Sequence, residues 1–414
     1  MAPAATREQA EALDREDPLA AIRDDFILPE GVIYLDGNSL GALPRATPSR
    51  LAEVAVQEWG GVLVRGWTEH GWIDLPLRVG NAIAGILGAL PGEVAVTDST
   101  SVNLFKLMAA ALRMRPGRMV ILTERENFPT DLYVAAGLAD LLGGRVEVRV
   151  VERSDLVGAL DARVAVLALT HVDFRTGEMH DMAALTALAH RAGALALWDL
   201  SHSAGAVPLA LDACEVDLAV GCGYKYLNGG PGAPAYVFVA HRLHEEFRQP
   251  LSGWTGHAAP FEFGPEYRPA AGIARALVGT PPILSMTALA CGVETIVRAG
   301  VERLRGKSLA LSELFIERMA ERCAPHGFEL ASPRDLARRG SHVSYRHPQG
   351  YAIKQALIHS GVIGDFRAPD MVRFGFAPAY LRFVDAWDAV ERLAQVMERR
   401  AWDRPDFRSP AKVT

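Results

Sequence analysis

From residue 94 onward the chain alternates short apolar runs with longer stretches whose apolar positions recur every three to four residues. Residues 146–151 read as a strand, and the runs at 94–96, 119–122, 164–169, 194–198 and 218–220 have strand length with apolar residues at successive positions. They predict strands buried on both faces. Segments 102–112, 132–142 and 182–192 have helical spacing. Strands separated by helices in this way predict an α/β fold, a mainly parallel sheet covered on both sides. Upstream, 48–59 reads as a helix ended by Gly60-Gly61, 66–72 as an aromatic, glycine-rich loop, and the stretch to about 90 as a second helix. Residues 31–36 form a short strand before a turn-rich loop, 37–41, and 1–30 a polar helix in an arm. After Pro281-Pro282 the pattern changes to long amphipathic helices, 283–298 and 301–321. Short strands near 343–346 and 372–376, a last helix over 386–400 and a loose polar tail from 403 follow. The division is an N-terminal arm and loop over 1–45, a large α/β domain over 46–285 and a small α+β domain over 286–414.

Composition narrows the classes. With 414 residues, half of them hydrophobic, there is ample material for a two-domain core. The net charge of −6 and the absence of a basic face argue against nucleic acid. The four cysteines have neither disulfide density nor metal-ligand spacing, which fits a reducing cytoplasm; no metal is expected. The N-terminus lacks the apolar stretch of a signal peptide, and no apolar run approaches the roughly 20 residues of a membrane span.

Parallel sheets place ligands at the carboxyl ends of their strands, and four loops there carry polar residues. Asp98-Ser99-Thr100-Ser101 opens a helix, where hydroxyls and free amides suit a phosphate; the same residues are also ordinary N-caps. In Asn127-Phe128-Pro129-Thr130-Asp131, Phe128 can cover a planar ligand, and Asp131 can cap the next helix. Thr170-His171-Val172-Asp173 follows a buried strand. Trp198-Asp199-Leu200-Ser201-His202 sets a carboxylate at a strand mouth, where it needs a partner: a turn amide or a protonated ring nitrogen. Lysine is scarce, only five of the 43 basic residues. One, Lys225, sits between Tyr224 and Tyr226 in a glycine-lined turn. A primary amine there suits Schiff-base chemistry, which guanidinium cannot do; a solvated loop lysine is the plain alternative. Two other signals fail. Residues 230–235 match G-x-G-x-x-A but carry two prolines and lead into a strand, which counts against a nucleotide-binding oxidoreductase. His241 and His244 match no zinc signature and read as a solvated helix face.

Together these pieces resemble the fold-type-I enzymes that use pyridoxal 5'-phosphate (PLP), and more narrowly the kynureninase family, over nearly the whole chain. The resemblance rests on Leu35-Asp36-Gly37-Asn38-Ser39-Leu40-Gly41, Ser101-Val102-Asn103-Leu104, Phe128-Pro129-Thr130-Asp131, Trp198-Asp199-Leu200-Ser201-His202, Tyr224-Lys225-Tyr226-Leu227-Asn228-Gly229-Gly230, Gly253-Trp254 and Gly279-Thr280-Pro281-Pro282. It implies a hydrolase acting on carbon–carbon bonds in ketonic substances. Such an enzyme cleaves L-kynurenine, and its 3-hydroxy derivative, to anthranilate or 3-hydroxyanthranilate and L-alanine, in tryptophan catabolism through the kynurenine pathway and toward NAD. By position, Lys225 would form the Schiff base, Asp199 hold the pyridine nitrogen protonated, and Tyr224 serve as acid or base. His202 would sit beside the ring oxygen, and Phe128 and Thr170 against the ring. Thr100, Ser101, Asp131, Tyr224 and Trp254 would surround the phosphate, Pro129 and Thr130 would also lie at the cofactor, and Thr280 would reach the phosphate of the neighbouring subunit of a homodimer. Arg373 would bind the substrate α-carboxylate, its alternative being a sheet-edge arginine. Ser39, Trp67 and His70 would approach the substrate. Loop 267–278 matches the family only loosely. A cysteine desulfurase-like PLP enzyme is the nearest alternative, and a catalytically silent scaffold a third. No cysteine stands in a flexible loop to attack a substrate sulfur, since Cys291 lies in a helix and Cys323 at a helix end.

Overall fold

A computed structural model describes residues 6–408. Helix α1 (Leu75–Leu87) precedes the core series β1 (Val94–Val96), α2 (Thr100–Met114), β2 (Val120–Glu124), α3 (Pro129–Leu141), β3 (Glu147–Val151), β4 (Val164–Thr170), α4 (Met182–Arg191), β5 (Leu195–Asp199), β6 (Leu218–Gly221) and β7 (Tyr236–Val239). The strands form one sheet in the order β1-β7-β6-β5-β4-β2-β3. Its pairs are parallel except that β7 runs against both β1 and β6. Two reversals leave β1 pointing the same way as the others, so all parallel strands end on one edge. Register then sets Thr170 beside Asp199 and Asp199 beside Val220, so three strand ends stand in line. The inner strands are apolar on both faces because helices cover both, and β4, β5, β6 and β7 are buried along their whole length, whereas the edge strand β3, with Glu147 and Arg149, is half-buried.

Beyond this sheet, α5 (Ile283–Ala299) and α6 (Val301–Arg322) meet at 80°. Gly300 makes the corner at φ +79, a conformation open to glycine. Strands β8 (Glu329–Leu330) and β9 (His342–Arg346), helix α7 (Gly350–His359), β10 (Asp365–Arg367), β11 (Met371–Gly375) and α8 (Phe383–Glu398) complete the fold. Their antiparallel sheet has the order β8-β9-β11-β10. Among the described residues no single helix is long and apolar enough to cross a membrane.

Several expectations change. The described part of the N-terminal arm is docked. Helix Arg7–Arg15 lies on α8, whose first amides, Phe383 and Val384, donate to the Asp14 carboxylate at 2.6 and 3.1 Å. A nine-residue helix is too short to hold alone, so packing supplies its stability. Strand Ile33–Tyr34 pairs in parallel with Val362–Ile363, tying this segment to the C-terminal half. Gly60-Gly61 does not end its helix. Helix Ala46–Glu53 widens into a π-turn over Val54–Trp59 and continues through Gly60–Val62, and the break comes at Leu63, φ +55. The predicted loop 66–72 begins as a helical turn, Gly66–Glu69. Helix α7 and strand β10 were not anticipated. Helix α7 starts on Gly350, where a Cβ would press on Phe366 and Val372 at 3.0 Å. Residues 1–5 and 409–414, at the ends of the predicted arm and tail, lie outside the described residues.

Candidate active site

The turn after β6 is built by close backbone approaches. Asn228 donates its amide to the Lys225 carbonyl at 2.9 Å and takes φ +54, closing the turn. The loop 37–41 lies directly on it: the Gly41 amide donates to the Tyr224 carbonyl at 2.7 Å. A Cβ on Gly41 would sit 2.4 Å from the Lys225 carbonyl oxygen and 2.7 Å from Asn228 Cα, a contact between backbones that nothing can relieve. The glycine ending the 37–41 loop therefore belongs to the lysine site.

Lys225 faces a cavity of about 280 Å³ at the carboxyl edge of the main sheet. Thr100 and Ser101 line one side, at the first turn of α2, where helix amides lack intrahelical partners and Ser99 Oγ accepts only the Val102 amide, at 3.4 Å. Thr130 and Asp131 stand at the start of α3 behind Phe128, and Pro129 is that helix's first residue, where a missing N–H costs nothing. Thr170, Asp199, His202 and Tyr224 complete the predicted set that the cavity gathers. Three lining or tethering residues were not predicted. Phe174 packs edge-on against Phe128 with centroids 5.1 Å apart. The Ser201 amide donates to Asp199 Oδ1 at 2.7 Å. Asn127 is buried, its Oδ1 accepting the Phe128 amide at 2.9 Å, the Thr170 amide at 3.1 Å and the Thr170 hydroxyl, so it ties the Phe128 loop to the end of β4. Its place at the head of that loop was the available signal.

The electrostatics follow from burial. Lys225 Nζ lies 2.9 Å from His202 Nε2 and 6.0 Å from the Phe128 ring centroid. Burial, and then the charge of Lys225, hold the His202 imidazole well below its ordinary range, so the ring is neutral and its Nε2 accepts from the ammonium. Its Nδ1 has no hydrogen-bond partner. Burial raises Asp199, opposed by the Ser201 hydrogen bonds and Lys225. Asp131 is pushed well above the carboxylate range by burial and then by the charge of Asp199; its Oδ1 is unpartnered. Burial also raises the Tyr224 phenol, which keeps its proton.

These residues fit PLP. Asp131, raised well above the carboxylate range and with an unpaired oxygen, would as a protonated acid be able to donate to a phosphate oxygen, where an ionised carboxylate would repel it. The α2 N-terminus adds amides and hydroxyls for the same group. A protonated ring nitrogen gives the buried Asp199 a cationic partner, and Phe128 offers an aromatic face beside Lys225.

Other predicted residues are not at this cavity within one chain. Trp254 packs edge-on against Phe261, centroids 5.9 Å apart, on an outer loop. Thr280 lines a separate cavity of about 160 Å³ with Asp98 and Leu277. Trp67 is taken up by Trp72, 5.7 Å away, and His70 is exposed after its helical turn. Arg373 lies on β11, between β9 and β10, which rules out a sheet-edge arginine. It is buried, donates to Asp365 and to the Phe174 carbonyl, and has Ser39 Oγ at 3.3 Å. His244, expected on a solvated face, is buried with Nε2 2.9 Å from the Val239 carbonyl, because its short 3₁₀ turn folds back on β7. Among the described residues no group of three His, Cys, Asp or Glu side chains could hold a metal.

Known proteins resemble this chain throughout its length. A family model for the kynureninase C-terminal domain matches residues 304–393. A protein from Pseudomonas fluorescens named kynureninase is 52% identical over 99% of this chain and 100% of its own. Its namesake from Burkholderia pseudomallei (strain 1106a) is 53% identical with the same coverage. Among solved structures, the apo cysteine desulfurase of Thermococcus onnurineus NA1 superposes with a TM-score of 0.75 at 20% identity, covering 92% of this chain and 97% of that one. A C-DES variant with glycine covalently linked to its PLP cofactor gives 0.78 at 19% identity, covering 90% and 98%. At such identity these two show a shared fold, that of the fold-type-I PLP enzymes.

Proposed function

We propose, since the chain belongs to the kynureninase family, that it hydrolyses L-kynurenine to anthranilate and L-alanine, and the 3-hydroxy substrate to 3-hydroxyanthranilate, using PLP held on Lys225. The observation that carries this reading is the convergence of Lys225, Asp199 and Phe128 on one cavity, with the α2 N-terminus on its rim.

Bound there, PLP supplies an electron sink that stabilises negative charge on an attached amino acid. Lys225 is the group that takes and returns the proton at the substrate Cα. Neutral His202, accepting at 2.9 Å, holds the lysine head in place while it does so. Asp199 keeps the ring nitrogen protonated. Hydrolysis places the hydroxyl of water on Cγ and a proton on Cβ as the bond between them breaks. Tyr224, a phenol that keeps its proton, is suited to deliver that proton to Cβ or to the γ-carbonyl oxygen. Arg373 with Ser39 receives the α-carboxylate, for which a guanidinium fork is suited. Phe128 and Phe174 shield the reacting atoms from bulk water.

A homodimer with shared sites follows from the places of Trp254 and Thr280. Both lie away from the cavity, and the segment of Trp254 carries strongly exposed aromatic rings, Phe261 at 64% and Phe263 at 78%. In this reading a second copy brings Thr280 to the phosphate. Four free cysteines support a reducing, cytoplasmic location.

Purified protein is expected to be yellow, with an absorbance that Lys225→Ala shifts, and to release fluorescent anthranilate from L-kynurenine. Colourless protein that takes up no added PLP would refute the cofactor reading. The desulfurase-like alternative has less support: no cysteine lines the cavity, and Cys222 and Cys323 are buried.

A further inference from the structure

Arg373 is gripped by a carboxylate for which the proposed chemistry has no direct use. Asp365 and Arg373 are directly opposed on β10 and β11, so their side chains share one face of the sheet. Arg373 Nε donates to Asp365 Oδ1 at 2.6 Å, and Nη2 donates to Asp365 Oδ2. Asp365 itself is pinned: it accepts the Ser39 hydroxyl at 2.8 Å and pairs with Arg367 at 2.9 Å, and it is 1% exposed.

A guanidinium has five N–H donors: one on Nε and two on each Nη. Asp365 takes the Nε/Nη2 edge. One Nη1 donor goes to the carbonyl of Phe174, itself a wall of the Lys225 cavity. The second Nη2 donor has only the Ser39 oxygen, at 3.3 Å, and the second Nη1 donor has no partner in Arg373's hydrogen bonds. The Nη1/Nη2 end therefore keeps one weakly used N–H on each nitrogen, the pair that a second carboxylate takes in bidentate fashion. Charge points the same way. Arg367 and Arg373 face Asp365 and Asp36, and burial followed by the charge of Asp365 pushes Asp36 up to about 7. Lys354, buried near the same two carboxylates, adds a third cation, so the cluster carries positive charge in excess for an anion to neutralise whether or not Asp36 holds its proton.

We propose that Asp365 is a positioning residue for the substrate carboxylate: by holding the Nε/Nη2 edge of Arg373 it presents the Nη1/Nη2 end, with Ser39 as the partner that yields. This rests on the reading of Arg373 given above. Without Asp365 the guanidinium would turn toward the Phe174 and Ser39 oxygens and lose its aim, although its charge would remain.

Asp365→Asn and Asp365→Glu test it, the second keeping the buried charge and hence the fold while displacing the carboxylate. Each variant, loaded with PLP, is assayed for KM and kcat with L-kynurenine and for inhibition by the two products. Expected is a KM raised about tenfold, equivalent to about 1.4 kcal/mol, with kcat changed far less, and L-alanine inhibition weakened in parallel while anthranilate inhibition stays as in the wild type. A general loosening of the fold would weaken both products together and would overturn the proposal, as would an Asp365→Glu enzyme with unchanged KM and L-alanine inhibition. If Asp365→Asn does not fold, Asp365→Glu decides alone. Arg373→Lys run alongside separates the two layers. Unchanged L-alanine inhibition in Arg373→Lys defeats the reading of Arg373 itself, whereas weakened inhibition there but not in the Asp365 variants defeats only the role of Asp365.

Discussion

At the scale of single residues, burial without water decides most of the chemistry. Asp131 and Asp199 are two buried carboxylates near one lysine, and the site avoids two adjacent negative charges by keeping Asp131 protonated. Its raised pKa fixes the sign of a pH effect. The proton that donates to phosphate is present at low pH and is lost as pH rises through the folded value, so PLP affinity is expected to fall as pH rises. Asp131→Asn, a permanent donor, should flatten that dependence in equilibrium dialysis; a slope equal to that of the wild type would contradict the assignment. Asp36, pushed up to about 7 by burial and the neighbouring charge of Asp365, acts on stability with the same sign. The folded state holds a proton that the unfolded chain has already released, so the protein loses stability as pH rises toward about 7. Asp36→Asn should remove that loss from melting curves taken across the window. Lys225→Ala should cost about 10³-fold or more in kcat, beyond what a lost positioning contact costs.

At the scale of elements, the fold was legible where periodicity was long and uniform. The buried strands and the helices between them were readable because a strand covered on both faces has no polar positions to confuse with a loop. Helix α7 was not, because it opens on Gly350, whose missing side chain answers to Phe366 and Val372, distant in sequence until the strands pair. The loop 66–72 was read as irregular because its glycines hide one helical turn. In the site, Lys225, Asp199 and Phe128 announced themselves by residue type at strand ends. Asn127 and Phe174 did not, since their roles come from tertiary contacts with Thr170 and Phe128. Asp365 was hidden for the same reason: its partner is a cross-strand neighbour. Gly41 shows how one loop depends on another. A Cβ 2.4 Å from the Lys225 carbonyl must displace the turn, so Gly41→Ala is expected to reduce kcat at least as severely as it lowers Tm. A Gly41→Ala enzyme of normal kcat and altered Tm would show that the loop is only structural.

At the scale of the whole molecule, one chain brings most of the site together and leaves Trp67, His70, Trp254 and Thr280 outside. Thr280 and Trp254 belong to loops away from the cavity, so the account requires a second copy. Co-expressing Lys225→Ala with Thr280→Ala chains should give hybrid dimers with one intact site, and with random pairing roughly a quarter of wild-type sites overall. Activity no greater than that of the two variants made separately would mean that sites are not shared. What decides between these readings is the reaction itself. The most direct measurement incubates the purified yellow protein with L-kynurenine and follows both products. The account expects anthranilate and L-alanine in equal amounts, abolished by Lys225→Ala. A PLP-loaded wild-type protein that releases neither product from L-kynurenine, or that liberates sulfur from cysteine instead, would contradict it.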